Sequence, residues 1–305
     1  MRLPFGLLVA SVVAGLLSAA AALLARPAAA LQFGLAMLLA LLGYVLLGRG
    51  ARRVRWAIAA GVGLLAVVAA MRLHWYQEQV VEVGWLTYGP AAAEPSSLGP
   101  WRDSVDRQRL AALGSALGAA CLAAGVLALP SRDRRRGVAT TLFALLLLAW
   151  FGLGATPEFV DYPLPDLLGT VWPALLAALV TLGALALSGW RADRRWLLPV
   201  GLFLLSLAAA DAYSVLAGVW SGWWEMANPD RNAFLELGMA VSTSTKDPLQ
   251  LSSAVETTIP LAGAALAAAG ALRSSRETTD RMGFPLMDDE GRDTVDGDDD
   301  NTSSA

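Results

Sequence analysis

Asp211 stands within Ala208-Ala209-Ala210-Asp211-Ala212-Tyr213, well inside a long apolar run. A carboxylate near mid-bilayer costs about 2.5–3.5 kcal/mol on insertion scales, so it faces a bundle interior and finds a partner there. Two chemistries fit it. One is the binding of a proton or cation in a translocation path. The other is an interhelical hydrogen bond or ion pair that only holds the bundle together, and a lone carboxylate leans to that second reading. Arg72, near the outer end of an earlier apolar segment, is the candidate partner.

Other candidate residues lie outside the apolar runs. Glu158, Asp161 and Asp166 form one acidic group, and Glu225, Asp230 and Glu236 another. Paired carboxylates can ligate a metal or act as general acid and base. Their spacing matches no recognisable site, and loops poor in arginine are acidic without any function. Trp85, Tyr88, Trp223 and Trp224 belong to a larger set of aromatic residues near the expected outer interface. Amphipathic rings settle at headgroup depth, so a belt explains them; Trp223-Trp224 after Gly222 also suits a lipid or sugar pocket.

The exclusions are firmer. His74 and Cys121 are the single histidine and the single cysteine of the chain, which excludes clustered imidazoles and an internal disulfide. There is no Gly-rich phosphate loop ending in Lys-Ser/Thr, no Cys-x-x-Cys, no His-Glu-x-x-His and no Gly-x-Ser-x-Gly. No metal, cofactor or nucleic acid is therefore expected, and no catalytic residue is assigned.

The elements that position these residues follow from hydropathy. Of 305 residues, 56% are hydrophobic and only 16% charged, where soluble domains carry about 25% charged. Crossing a bilayer takes roughly 20 apolar residues as a helix, and lipid offers no partner to an open backbone. The segments that qualify are Leu3–Leu24, Ala29–Gly48, Arg55–Leu73, Leu110–Leu129, Gly137–Ala155, Leu168–Gly189, Trp196–Trp220 and Val255–Arg273. The expectation is an all-α, polytopic transmembrane bundle of eight spans. The first segment is also too long for the apolar region of a cleaved signal peptide.

Arginine orients the bundle. Arg49, Arg52, Arg53 and Arg55 follow the second span; Arg132, Arg134, Arg135 and Arg136 follow the fourth; Arg191, Arg194 and Arg195 follow the sixth. The alternate loops are poor in base, so the positive-inside rule places both termini in the cytoplasm of a plasma-membrane protein. Two outer loops, Leu73–Arg109 and Ser221–Ala254, then carry the non-helical mass, with a short third, Thr156–Leu167.

A shift of about 140 residues superposes the chain on itself: Gly43 on Gly183, Trp56 on Trp196, Gly61 on Gly201, and Leu64-Leu65 on Leu204-Leu205. Near 145, Ala123-Ala124-Gly125 meets Ala268-Ala269-Gly270. Residues 1–136 and 137–273 therefore read as two parallel four-span repeats, an arrangement found in some transporters. Asp211 then corresponds to Met71, next to Arg72, which makes an Asp211–Arg72 pair across the repeat axis conceivable. Gly114 and Gly118 form a Gly-xxx-Gly suited to close helix packing. Residues 274–305 carry ten acidic residues and three arginines, and their polarity predicts a disordered tail.

The Gly-Trp-Leu-Thr-Tyr-Gly-Pro tract at 84–90 resembles outer-loop tracts in uncharacterised multi-pass membrane proteins of actinobacteria. That resemblance implies no activity and transfers no functional residue. Three functions compete. A non-catalytic scaffold or accessory subunit, its outer loops touching another membrane or envelope protein, stands slightly ahead. A secondary transporter or channel using Asp211 comes next, then a membrane-embedded enzyme using the outer carboxylates. A cavity between the repeats, or its absence, separates the first two.

Overall fold

The computed structural model describes residues 2–48, 51–82, 99–129, 134–191, 196–227 and 251–282. Among them the chain forms α-helices and no strand: α1 (Arg2–Leu23), α2 (Pro27–Leu47), α3 (Arg52–Glu82), α4 (Gly99–Leu127), α5 (Arg134–Asp161), α6 (Leu164–Arg191), α7 (Leu197–Ala227) and α8 (Leu251–Met282). Seven of them, α1 to α7, are long and apolar enough to cross a membrane, and the chain is a multi-pass helical membrane protein. The outermost helices carry the largest apolar stripes. Leu142, Leu146 and Leu153 of α5, with Phe5, Val12 and Leu16 of α1, are exposed at spacings that place each set on one helix face. Such a stripe is stable only against lipid.

The eighth expected span corresponds to α8, whose described residues are not among the seven segments long and apolar enough to cross. Thr257, Thr258 and Pro260 dilute its hydropathy, and small residues fill its interior face. Ala264 and Ala268 are fully buried, and the helix packs against α7, α1, α2, α3 and α4. A helix shielded by neighbours has little need for bulky apolar side chains.

Several helices outrun their apolar segments. Helix α3 continues to Glu82 and α4 begins at Gly99, so much of the expected outer loop 73–109 is helical. The expected loop 156–167 shrinks to Tyr162 and Pro163, since α5 runs to Asp161 and α6 starts at Leu164. Hydropathy stops at the first charges, whereas a helix needs only its own hydrogen bonds to continue past the hydrocarbon. For the same reason α8 carries on to Met282, beyond the expected boundary at 273/274. Ser274 and Ser275 turn their hydroxyls back onto the carbonyls of Gly270 and Leu272, at 3.0 and 2.8 Å.

Glycine sets the tightest seams. A Cβ on Gly61 of α3 would lie 2.9 Å from the Gly118 carbonyl oxygen of α4, and one on Gly125 would lie 3.1 Å from Ile58. The α7–α8 pair repeats these contacts. A Cβ on Gly201 would lie 2.8 Å from the Gly263 carbonyl oxygen, and one on Gly270 would lie 2.9 Å from the Leu198 Cα. The α3 and α7 members stand 140 residues apart, and the α4 and α8 members 145. Backbones this close exclude larger side chains and maximise dispersion contact, the driving force left where hydrophobicity cannot act.

The main core lies toward the end where α3 begins and α4 finishes. It includes Leu41, Val45, Val54, Ile58, Val62, Leu122, Val126, Leu185, Leu198 and Leu202. A second cluster occupies the other end of α5, α6 and α7, around Leu167, Val171, Tyr213, Leu216 and Trp220.

Candidate functional site

Above the main core the bundle holds an open-sided cavity of about 390 Å³, within the roughly 300–1,000 Å³ range of small-molecule sites. Leu65, Leu122 and Leu205 form its apolar end, and Leu122 and Leu205 belong to the main core. Alanines of α4, α6 and α7, among them Ala112, Ala174 and Ala209, leave the space that larger side chains would fill. Each helix presents one stripe: Gln108, Ala112, Ser115, Ala119 and Leu122 of α4 are spaced four, three, four and three apart, which is one helix face.

Among the described residues, the charged ones lining the cavity are Arg72, Arg107 and Asp211. Asp211 and Arg72, candidates from the sequence, line one space, and each charge acts electrostatically on the other. Both side chains keep accessible surface and line the cavity. Among the described residues no direct ion pair joins them. The nearby hydroxyls are tied to their own helices. Ser115 donates to the Ala111 carbonyl at 2.9 Å, and Thr181 donates to Ala177 and Ala178 at 2.9 and 3.0 Å. Their oxygens keep acceptor lone pairs for a guest.

The cavity lies where the two halves of the chain meet. Leu65 and Leu205, Arg72 and Ala212, and Trp75 and Val215 all line it and are paired by the 140-residue offset. Ala112 and Thr257, with Ser115 and Pro260, line it at the 145-residue offset. The charges break this correspondence, because Ala212 stands where the first half has Arg72.

Arg107 was missed in sequence because the apolar window of α4 begins at Leu110, which assigned it to a loop. The recoverable signal was the stripe itself, with Gln108 and Ser115 on the small-residue face of α4.

The other candidates are not gathered there. Trp85 and Tyr88 lie outside the described residues, as do Asp230 and Glu236. The Glu158, Trp223 and Glu225 side chains are also outside them, though their backbones are helical. Asp161 is exposed at the last residue of α5. Trp224 is half-buried and stacks on Trp220, ring centroids 5.6 Å apart at 22°, while Tyr162 meets Trp220 edge-on at 5.3 Å. Among the described residues no group of three His, Cys, Asp or Glu side chains comes together. Compared with protein-family models, curated proteins and solved structures, the chain finds no match.

Proposed function

We propose that the chain is a plasma-membrane transporter or channel for small solutes. Its binding site is the cavity between two parallel four-span repeats, and Asp211 is its coupling or selectivity group. The observation that carries this reading is a cavity holding Asp211 and Arg72 with open surface within the bundle. Charge inside a membrane protein marks a pathway by default, and a bundle serving only as a scaffold gains nothing by keeping this space open. The recurring glycine contacts of α3–α4 and α7–α8 support duplication of a four-helix unit, an architecture whose substrate sites lie at the repeat interface.

In this reading α8 is the eighth crossing and both termini are cytoplasmic. Arg55, Arg136 and Arg191 stand at helix ends opposite the charged part of the cavity, so the charged end faces outward by the positive-inside rule. The bilayer is the partner of the exposed stripes on α1 and α5. Trp224 stacks on Trp220 within the chain, which gives it a packing role besides the outer contact that the scaffold reading assigns to it.

The test is reconstitution into liposomes and exposure to a defined mixture of amino acids, organic acids, sugars and nucleosides, with trapped solutes identified by mass spectrometry. Accumulation of a solute above protein-free liposomes, lost in Asp211→Asn, is the expected result. If no solute exceeds background, the chain returns to the scaffold reading.

A further inference from the structure

Arg72 and Asp211 line the cavity and act on each other electrostatically. Among the described residues neither has a hydrogen bond or an ion pair. A guanidinium and a carboxylate that share one space without meeting leave room for a guest between them. A lone anion there would answer Arg72 and be repelled by Asp211, and a lone cation the reverse. A guest carrying both charges answers both. Its carboxylate matches the planar fork of the guanidinium, and its ammonium offers donors to the Asp211 carboxylate.

The depth of the cavity describes the rest of the guest. Arg72 lies seven residues beyond Leu65 on α3, and Asp211 six beyond Leu205 on α7, and all four line the cavity. At about 1.5 Å per residue the charges stand about 9–10 Å along the helices from the leucine level. An apolar contact takes about 4 Å of that, so about 5–6 Å remains for a side chain, which suits leucine, methionine or phenylalanine. We infer that the cavity takes α-amino acids with a large apolar side chain. The carboxylate sits on Arg72, the ammonium on Asp211, and the side chain runs toward Leu65 and Leu205. This inference rests on the cavity being the solute site proposed above.

The experiment uses the full chain in phosphatidylglycerol nanodiscs, with Cys121→Ala and a reporter thiol, Ser115→Cys, on the cavity wall. Alkylation by a small neutral maleimide is followed while leucine, isocaproate or isoamylamine is added; the last two are leucine without its amine and without its carboxylate. Leucine should slow alkylation, and each analogue should need about tenfold more for the same effect. The variants should change that ranking. Isocaproate should match leucine in Asp211→Asn, and isoamylamine should match it in Arg72→Gln. Either analogue matching leucine in the unaltered site overturns the inference, as does an unchanged ranking in a variant; if only one variant is monodisperse, it carries the test alone. If maleimide reacts and neither leucine, methionine nor phenylalanine slows it, the amino-acid assignment falls and the transport reading stands. Nanodiscs with added phosphatidylethanolamine separate a free amino acid from a zwitterionic headgroup, and protection by that lipid but not by leucine overturns the assignment. If maleimide reaches neither Ser115→Cys nor a second reporter, Ala119→Cys, the cavity is closed to solutes and both readings fall.

Discussion

Arg109 of α4 donates a 2.9 Å hydrogen bond to the carbonyl oxygen of Gly169 in α6. Gly169 lies four residues before Pro173, and a proline has no N–H to return to that carbonyl. Lipid cannot supply the missing donor, and prolines persist in membrane helices because neighbours do. The guanidinium is also held by Asp106, at 3.6 Å one turn earlier.

Arg109→Ala therefore lowers stability by about 1 kcal/mol, at the modest end for a charge-assisted bond because the site is partly exposed. Pro173→Ala restores an N–H to α6, so Arg109→Ala should cost less in that background. A double-mutant cycle of thermal unfolding in detergent checks this. Strict additivity would mean that Arg109 does not substitute for the lost helix bond.

The glycine seams predict a contrast within α6 and α7. A Cβ on Gly201 would press on backbone atoms of α8, whereas Gly183 has nothing within 4 Å. Gly201→Ala should destabilise by about 1–3 kcal/mol through overpacking. Gly183→Ala should be neutral or stabilising by about 0.5–1 kcal/mol, the helix propensity of alanine over glycine. Melting temperatures of the two variants decide it.

Asp211→Asn and Arg72→Gln should each abolish solute accumulation in liposomes while lowering stability by about 1 kcal/mol or less. The stability change is small because both side chains open onto the cavity and their attraction is screened there. The double variant should recover most of the stability and none of the flux. Full flux in either single variant would remove the pair from the mechanism.

Trp224→Ala should act on stability rather than on association. Loss of its stacking on Trp220 is worth about 0.5–1.5 kcal/mol beyond the area buried. Parallel measurement of unfolding and of co-purifying proteins separates the outcomes. A stable variant that loses a stoichiometric partner would restore the scaffold reading.

A reporter active only in the cytoplasm, fused after Met282, should be active, as should one fused at the N-terminus. Opposite behaviour at the two ends would reduce the crossings to seven and leave α8 as a partial or surface helix.

Hydropathy made the helices legible because the bilayer imposes one length and one polarity on every crossing. Their ends were less legible, since Glu82 and Gly99 lie where the hydrocarbon no longer constrains the sequence. Asp211 and Arg72 could be brought together on paper because the 140-residue shift places Met71, beside Arg72, on Asp211. Arg107 could not, because it lies in the part of α4 that precedes Leu110. The cavity itself was not legible: many alanines on facing helices fit tight packing or open space equally well, and only backbone separation distinguishes them. Between α7 and α8 the separation is small, as Gly201 and Gly263 show; around Ala112 and Ala209 it leaves a void.

The same glycine seams bear on how such a bundle could move. Helices α3 and α4 are clamped at Gly61–Gly118, and α7 and α8 at Gly201–Gly263, so each hairpin should travel as a stiff paddle. Where α4 meets α6 and α7, Ala116, Ala177, Ala178 and Ala209 form a small-residue face with Phe151 of α5 packed against it, and Arg109 ties α4 to the Gly169 carbonyl of α6. Any rocking of one half against the other would slide along those methyl groups and would have to release the Arg109–Gly169 bond.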